Sequence, residues 1–131
     1  MSPDFLDLMN KALADLYGGW HFYIRSALMV ETPNRIVLRP FFKSYALENA
    51  NHIVELGDLI MYLGGSPTPT INAWRNDLRD PKHILTYAAE RESAMVKRYD
   101  VIAPEIPSLI HPFMKITTGR TVHLKHSAAG I

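Results

Sequence analysis

At 131 residues, with 47% hydrophobic and 21% charged side chains, the chain has the size and balance of one ordinary globular domain, far from the polar, highly charged profile of disorder. It has no cysteine, which excludes disulfides, thiolate metal sites and a nucleophilic thiol. Its 14 basic and 13 acidic side chains nearly cancel and no Lys/Arg-rich run is present, so the electrostatic footprint of a general nucleic-acid binder is missing.

The opening MSPDFLDLMNKALADL carries acidic residues early and no uninterrupted apolar run, so it does not read as a secretory signal. No stretch has the length and apolarity of a membrane span, and the expectation is a cytoplasmic chain without a membrane partner. From Asp4 to Glu31 the residues Leu13, Leu16, Tyr17, Trp20, Ile24, Ala27 and Leu28 recur at helical spacing and predict a first helix with that stripe inward. It ends at Glu31-Thr32-Pro33, where Thr32 can cap a second helix and Pro33 fits its first turn.

The second helix is expected from Pro33 to Leu63, with Leu38, Phe42, Tyr45, Asn49, His52, Leu56, Leu59 and Leu63 at steps of three and four. Gly64-Gly65 stops it, since glycine accepts the left-handed C-terminal cap, and Pro67 and Pro69 prevent its resumption. The short connection between these helices predicts an antiparallel hairpin. Residues 66–79 then read as a long crossover, and Asp80-Pro81 repeats the cap-plus-proline start of a third helix through Ile84, Tyr87, Ala88, Ala94, Met95 and Ile102. Arg91 and Arg98 fall near the middle of its apolar arc. A fourth, short helix is expected from Pro107 or Pro112 to about His126, where Thr117-Thr118-Gly119 weakens the pattern.

The expected fold class is therefore all-α, an antiparallel four-helix bundle with a long crossover between helices 2 and 3, in a single domain over residues 1–131. Short hairpin, long crossover, short hairpin is the connectivity of ferritin-like bundles. The segment from His52 to Pro67, HIVELGDLIMYLGGSP, resembles the second-helix signature of bacterioferritins and related ferritin-like proteins, in which a metal-binding histidine precedes Leu-Gly-Gly-x-Pro. The opening MNKALADLYGGWHFY is similar to the family's first helix, with Tyr23 in the place of its usual tyrosine. Ala89-Glu90, followed by Ala94, resembles the third-helix ligand segment, and His123-Leu-Lys-His126 lies at about the distance of the fourth.

The resemblance implies a di-iron site with one glutamate from each of two helices and a Glu-x-x-His pair from each of the other two. Carried over position by position, the first-helix glutamate falls on Leu16 and the second-helix glutamate on Asn49, while His52 and Glu90 are kept. In the fourth helix His123 replaces the glutamate and His126 is kept. One carboxylate cannot neutralise and bridge two divalent ions, so a ferroxidase centre of the family's usual kind is not expected. Asp15 and Glu48 each stand one position before a missing glutamate, about 100° round the helix. Asp15 reads as a solvated charge, whereas Glu48, one turn before His52, can reach inward on its flexible stem. Glu55, His21, His83 and His111 read as surface or loop residues, and Trp20, Tyr23 and Tyr45 as core aromatics. Ala50 occupies the position of the axial methionine of haem-binding bacterioferritins, so haem is not implied.

The resemblance thus points to a ferritin-like metal-binding protein, iron-related in binding or storage, with candidate ligands His52, Glu90, His123, His126 and Glu48. Nitrogen-rich ligation favours a single Zn²⁺ or Fe²⁺. Were it an enzyme, it would be a ferroxidase-like oxidoreductase. The alternative is a non-catalytic bundle that has lost its metal and serves in assembly. A homo-oligomer is expected on either reading, with Trp74 in the crossover and the groove beside a short fourth helix as apolar surface. No nucleic-acid partner is expected, which disfavours a DNA-protecting mini-ferritin.

Overall fold

In the computed structural model, which describes residues 3–31 and 33–102, the order is α1 (Pro3–Met29), α2 (Arg35–Tyr62) and α3 (Pro81–Ile102), with no strand among the described residues. The fourth helix expected up to His126 lies outside them. The chain divides into two compact units between Asp77 and Leu78.

In the first unit α1 and α2 form the antiparallel hairpin that their short connection predicts. A Cβ on Gly19 would lie 2.6 Å from Asn49 Nδ2, and one on Gly65 3.0 Å from Leu6 Cδ2, so early residues of one helix meet late residues of the other. The cap of α2 is Asn34 and its first residue Arg35, two residues later than the proline pattern predicts, because Pro33 and Asn34 form a turn ahead of it. The other end is as expected. Gly64 adopts φ +87°, its N–H donates to Met61 O (3.1 Å), and the Gly65 N–H donates to Ile60 O (2.9 Å). These paired bonds satisfy carbonyls that a helix end leaves bare, and the positive φ at their centre is the reason for glycine there.

The crossover is tied to α1 along its length. Asn10 Nδ2 donates to Ser66 O (3.0 Å) and its Oδ1 accepts from the Thr68 N–H (2.8 Å). The Asn72 N–H donates to Ala14 O (3.0 Å), the Asn72 side chain donates to Asp15, and Arg25 Nη1 donates to Asn76 O (2.7 Å). Crossover and helix therefore run in the same direction, and the sixteen residues of α1 from Asn10 to Arg25 rise about 22 Å. Trp74 completes the attachment: it is buried, with its ring centroid 5.2 Å from Phe22 and 5.8 Å from Tyr23. Each such ring pair adds about 0.5–1.5 kcal/mol beyond the area it buries.

This strap corrects three sequence expectations. Because α1 is covered on two sides, by α2 and by the crossover, its buried arc is turned by about 100° from the one read off the apolar stripe. Leu13, Leu16 and Ala27 are buried as expected, but Trp20 is 41% exposed and Leu28 is exposed, and their places are taken by Phe5, Met9, Phe22 and Tyr23. Asp15, expected in solvent, is only 2% exposed because Asn72 lies over it. Trp74 is a core residue of the first unit, not apolar surface.

In the second unit α3 begins as predicted: Asp80 Oδ1 accepts from the Lys82 N–H (2.8 Å) and Asp80 O from the Ile84 N–H (2.9 Å), an N-cap ahead of Pro81. Its buried positions are Ile84, Leu85, Ala88, Ala89, Glu92 and Met95, while Ala94 is exposed and Tyr87 half-buried. This arc too lies further round than expected, since a charged residue, Glu92, occupies one of its inward steps.

The strap demands that α1 carry no side chain at its centre. A Cβ on Gly18 would sit 1.9 Å from the Asn72 carbonyl oxygen and 2.9 Å from Trp74 Cδ1. Alanine is the better helix former by about 1 kcal/mol, yet that gain cannot offset displacement of backbone and an indole. Gly18→Ala is therefore expected to lower the thermal midpoint. Gly57→Ala on α2, where nothing among the described residues lies within 4 Å of the added carbon, should raise it by the propensity gain of about 1 kcal/mol. Thermal unfolding followed by circular dichroism checks both; a neutral Gly18→Ala would show that the crossover does not rest on α1.

Candidate functional site

On α2 the inward stripe is Leu38, Phe42, Tyr45, Asn49, His52, Leu56 and Ile60, all buried. It carries two polar side chains in succession, Asn49 (fully buried) and His52 (3% exposed). Facing them, α1 contributes Leu16 and Tyr23, both fully buried, and the bare backbone of Gly19. Asn49 Nδ2 and the Trp74 ring converge on that glycine, since a Cβ there would meet them at 2.6 and 2.9 Å. Above this level the space is filled by rings: Tyr23 lies 5.4 Å from both Phe22 and Tyr45, and Phe41 lies 4.8 Å edge-on from Tyr45.

The sequence-predicted residues separate accordingly. His52, Tyr23 and Tyr45 are in the core and Glu48 is half-buried on α2. Leu16 and Asn49, the positions where the resemblance calls for carboxylates, are both fully buried, so the inward register read for them holds. Glu55, His21 and His83 are exposed. Glu90 is exposed on α3, whereas Glu92, two residues on, is fully buried. The signal for Glu92 was available in the spacing Leu85, Ala88, Glu92, Met95, which alternates three and four, but a glutamate was not counted as an inward position. His123, His126 and His111 lie outside the described residues.

Burial of Leu16 and Asn49 sets the chemistry. A carboxylate-bridged pair of divalent ions needs anionic side chains at those points, and this chain supplies a hydrocarbon and a neutral amide. Among the described residues no three side chains of the ligand types His, Cys, Asp and Glu come together. These residues do not fit a di-iron carboxylate centre. Asp15, the buried carboxylate of α1, is engaged by Asn72 at the crossover.

Two further features lie apart from the His52 stripe. An open apolar groove of about 240 Å³ is lined by Tyr17, Trp20, His21, Pro69 and Ile71. The Arg75 guanidinium grips Asp77 through two bonds (3.0 and 2.8 Å) and holds that exposed carboxyl below its usual range. Screened by water, such a pair contributes little to stability. Among the described residues no helix is long and apolar enough to cross a membrane.

Comparison with known proteins gives a consistent result. The model of the ferritin-like domain matches residues 6–105. A ferritin-like, diiron-carboxylate protein from Bacillus anthracis superposes with a TM-score of 0.84 at 26% identity, covering 98% of this chain and 99% of its own. Dps from Staphylococcus aureus superposes at 0.78 with 12% identity, over 97% and 96% of the two chains. The dodecameric thioferritin of Bacteroides fragilis does so at 0.72 with 20% identity, over 96% and 80%. No curated protein matches the chain in sequence.

Leu16→Glu tests the packing of this region. An ionised carboxylate placed there without a partner must lose stability, on the order of 3 kcal/mol at neutral pH, or take up a proton. Burial raises the carboxyl's folded-state pKa above its unfolded value, so the folded form binds more protons and the penalty grows with pH above the unfolded value near 4.3. The deficit against wild type, measured by denaturant unfolding, should be large at pH 7 and shrink towards pH 4. Equal stability of the two proteins at pH 7 would place Leu16 at the surface.

Proposed function

The chain belongs to the ferritin-like family, and on that premise we propose that it is an iron-related metal-binding protein that holds a single divalent ion, Fe²⁺ or Zn²⁺, through a histidine-rich site. The observation that carries this reading is His52, an imidazole only 3% exposed on the inward stripe of α2, at the position from which the ferritin-like signature supplies a ligand. The same stripe lacks the anionic charge that two metals need. A neutral nitrogen donor suits one borderline cation.

The other candidate ligands are Glu48, Glu90, His123 and His126. We propose His123 and His126 as the H-x-x-H pair that completes the set, their spacing suiting two donors on one face of a helix. Because imidazole must be deprotonated to ligate, affinity is expected to fall as pH drops through the histidine range. The protein is further proposed to be a homo-oligomer, a reading supported by the dodecameric assembly of one relative.

A second reading has its own observation. Leu16 and the rings of Phe22, Tyr23, Tyr45 and Trp74 fill the first unit with hydrocarbon, as suits a bundle that has abandoned metal for assembly. Metal analysis of protein purified without a histidine tag separates the two. About one equivalent supports the single site and none supports the assembly module. Two equivalents with rapid Fe²⁺ oxidation would overturn both. Replacing His52 and His126 together by alanine should lower the metal content at least tenfold with the helical spectrum kept; unchanged metal content in that double variant would move the site elsewhere.

A further inference from the structure

The end of the hairpin at which α1 passes into α2 carries apolar side chains that its packing does not use. Ile36 and Val37, in the first turn of α2, are 82% and 72% exposed, and Leu28, in the last turn of α1, is 62% exposed. Since α1 ends at Met29 and α2 begins at Arg35, all three stand at one tip of the pair. Ile36 lies about 200° round the helix from Leu38, where the buried stripe begins. Two β-branched residues there serve neither the core nor helix propensity. Arg35 and Arg39 are exposed beside them, one turn apart, and Lys43 follows a turn later. Between Arg25 and Leu47 these three and Arg25 face a single acid, Glu31.

We infer that this tip docks on the surface of an anionic phospholipid bilayer, with Ile36 and Val37 entering the boundary between headgroups and acyl chains and Arg35 and Arg39 meeting the negative headgroups. Interfacial binding needs apolar area to bury and cations to hold it against the surface potential, and the tip supplies both. Arg35 and Arg39 are about 6 Å apart along the helix axis, so both act within a Debye length of a surface that touches the tip. Lys43, about 12 Å from Arg35, stands at the limit of that range. Arginine stems can lie along apolar surface while their heads stay at the headgroups. The sequence-based expectation of no membrane partner rested on the lack of a span, and contact of this kind needs none.

Other occupants fit the tip less well. Three aliphatic side chains offer on the order of a few hundred Å², well short of the roughly 800 Å² per partner of a stable protein interface. A bilayer has no such threshold, because it closes around whatever enters it. Nucleic acid would engage the cations through phosphate but leave Ile36 and Val37 in water. An uncharged bilayer would take the aliphatic pair and give the arginines nothing to face. The inference is independent of the metal and of the homo-oligomer, although an assembly that repeats the tip would strengthen binding by avidity.

The test uses the full chain with vesicles of phosphatidylcholine alone and of equal parts phosphatidylcholine and phosphatidylglycerol, binding being read by co-sedimentation. The chain should bind the mixed vesicles at least tenfold more tightly than the neutral ones, and less tightly in high salt. Ile36→Ser with Val37→Ser and, separately, Arg35→Gln with Arg39→Gln should each weaken that binding at least tenfold. All four sites are exposed, so the helical spectrum and thermal midpoint should stay close to wild type. Because the chain has no cysteine, Ile36→Cys and Glu55→Cys each accept one environment-sensitive fluorophore. Mixed vesicles should shift the emission of the label at position 36 to the blue and leave unchanged that of the label at position 55, about 28 Å along α2. No binding to mixed vesicles, an equal response of the two labels, or undiminished binding by either double variant would overturn the inference. So would a preference for duplex DNA that the Ile36→Ser, Val37→Ser variant keeps in full.

Discussion

The close approach of the crossover to α1 is the constraint from which most of the first unit follows. Neither Gly18 nor Gly19 leaves room for a Cβ, the first because of the Asn72 backbone and the second because of Asn49 and the Trp74 ring. Two adjacent glycines in a long helix cost about 2 kcal/mol in propensity. The cost is offset by what they admit: backbone and side-chain hydrogen bonds to Ala14, Asp15, Asn10 and Arg25, and an indole packed on Phe22 and Tyr23. At about 1 kcal/mol net for a typical hydrogen bond, the attachment outweighs the propensity loss. It also fixes which side of α1 is inside, and so decides that Leu16 and Tyr23 face α2 while Trp20 does not.

The sequence alone made the local punctuation legible. Gly64-Gly65 and Asp80-Pro81 act through bonds between neighbours in the chain, and no distant partner can change what they mean. The inward stripe of α2 was readable from Leu38 to Leu56, where steps of three and four alternate, but its last step falls on Ile60 and leaves the expected Leu59 and Leu63 half-buried. On α1 two neighbours cover the helix, and the second is an irregular segment some fifty residues away. A hydrophobic stripe reports where apolar side chains are concentrated, not where a strap built of asparagines will lie, and so Asp15 and Trp20 were each placed on the wrong side. On α3 the error was of another kind: the spacing was present, but its inward step is a glutamate.

The same glutamate bears on how a ferritin-like scaffold can change its chemistry. A buried carboxylate is tolerated only with a compensating cation, proton or hydrogen bond, whereas leucine or asparagine at that depth needs less. On the proposed register, in which Leu16 and Asn49 stand where the resemblance calls for carboxylates, the metal-free fold depends less on a bound ion. That register also lowers the positive charge the interior can neutralise. These effects act together: each lost carboxylate makes the apo protein easier to hold folded and a second metal harder to bind. His52 is compatible with either state, because the acceptor nitrogen of a neutral imidazole takes a metal bond or a hydrogen bond while the other nitrogen donates. Glu92 is not neutral in this sense. Its carboxyl, fully buried, is tolerated at that depth only through a hydrogen bond, a cation or a proton.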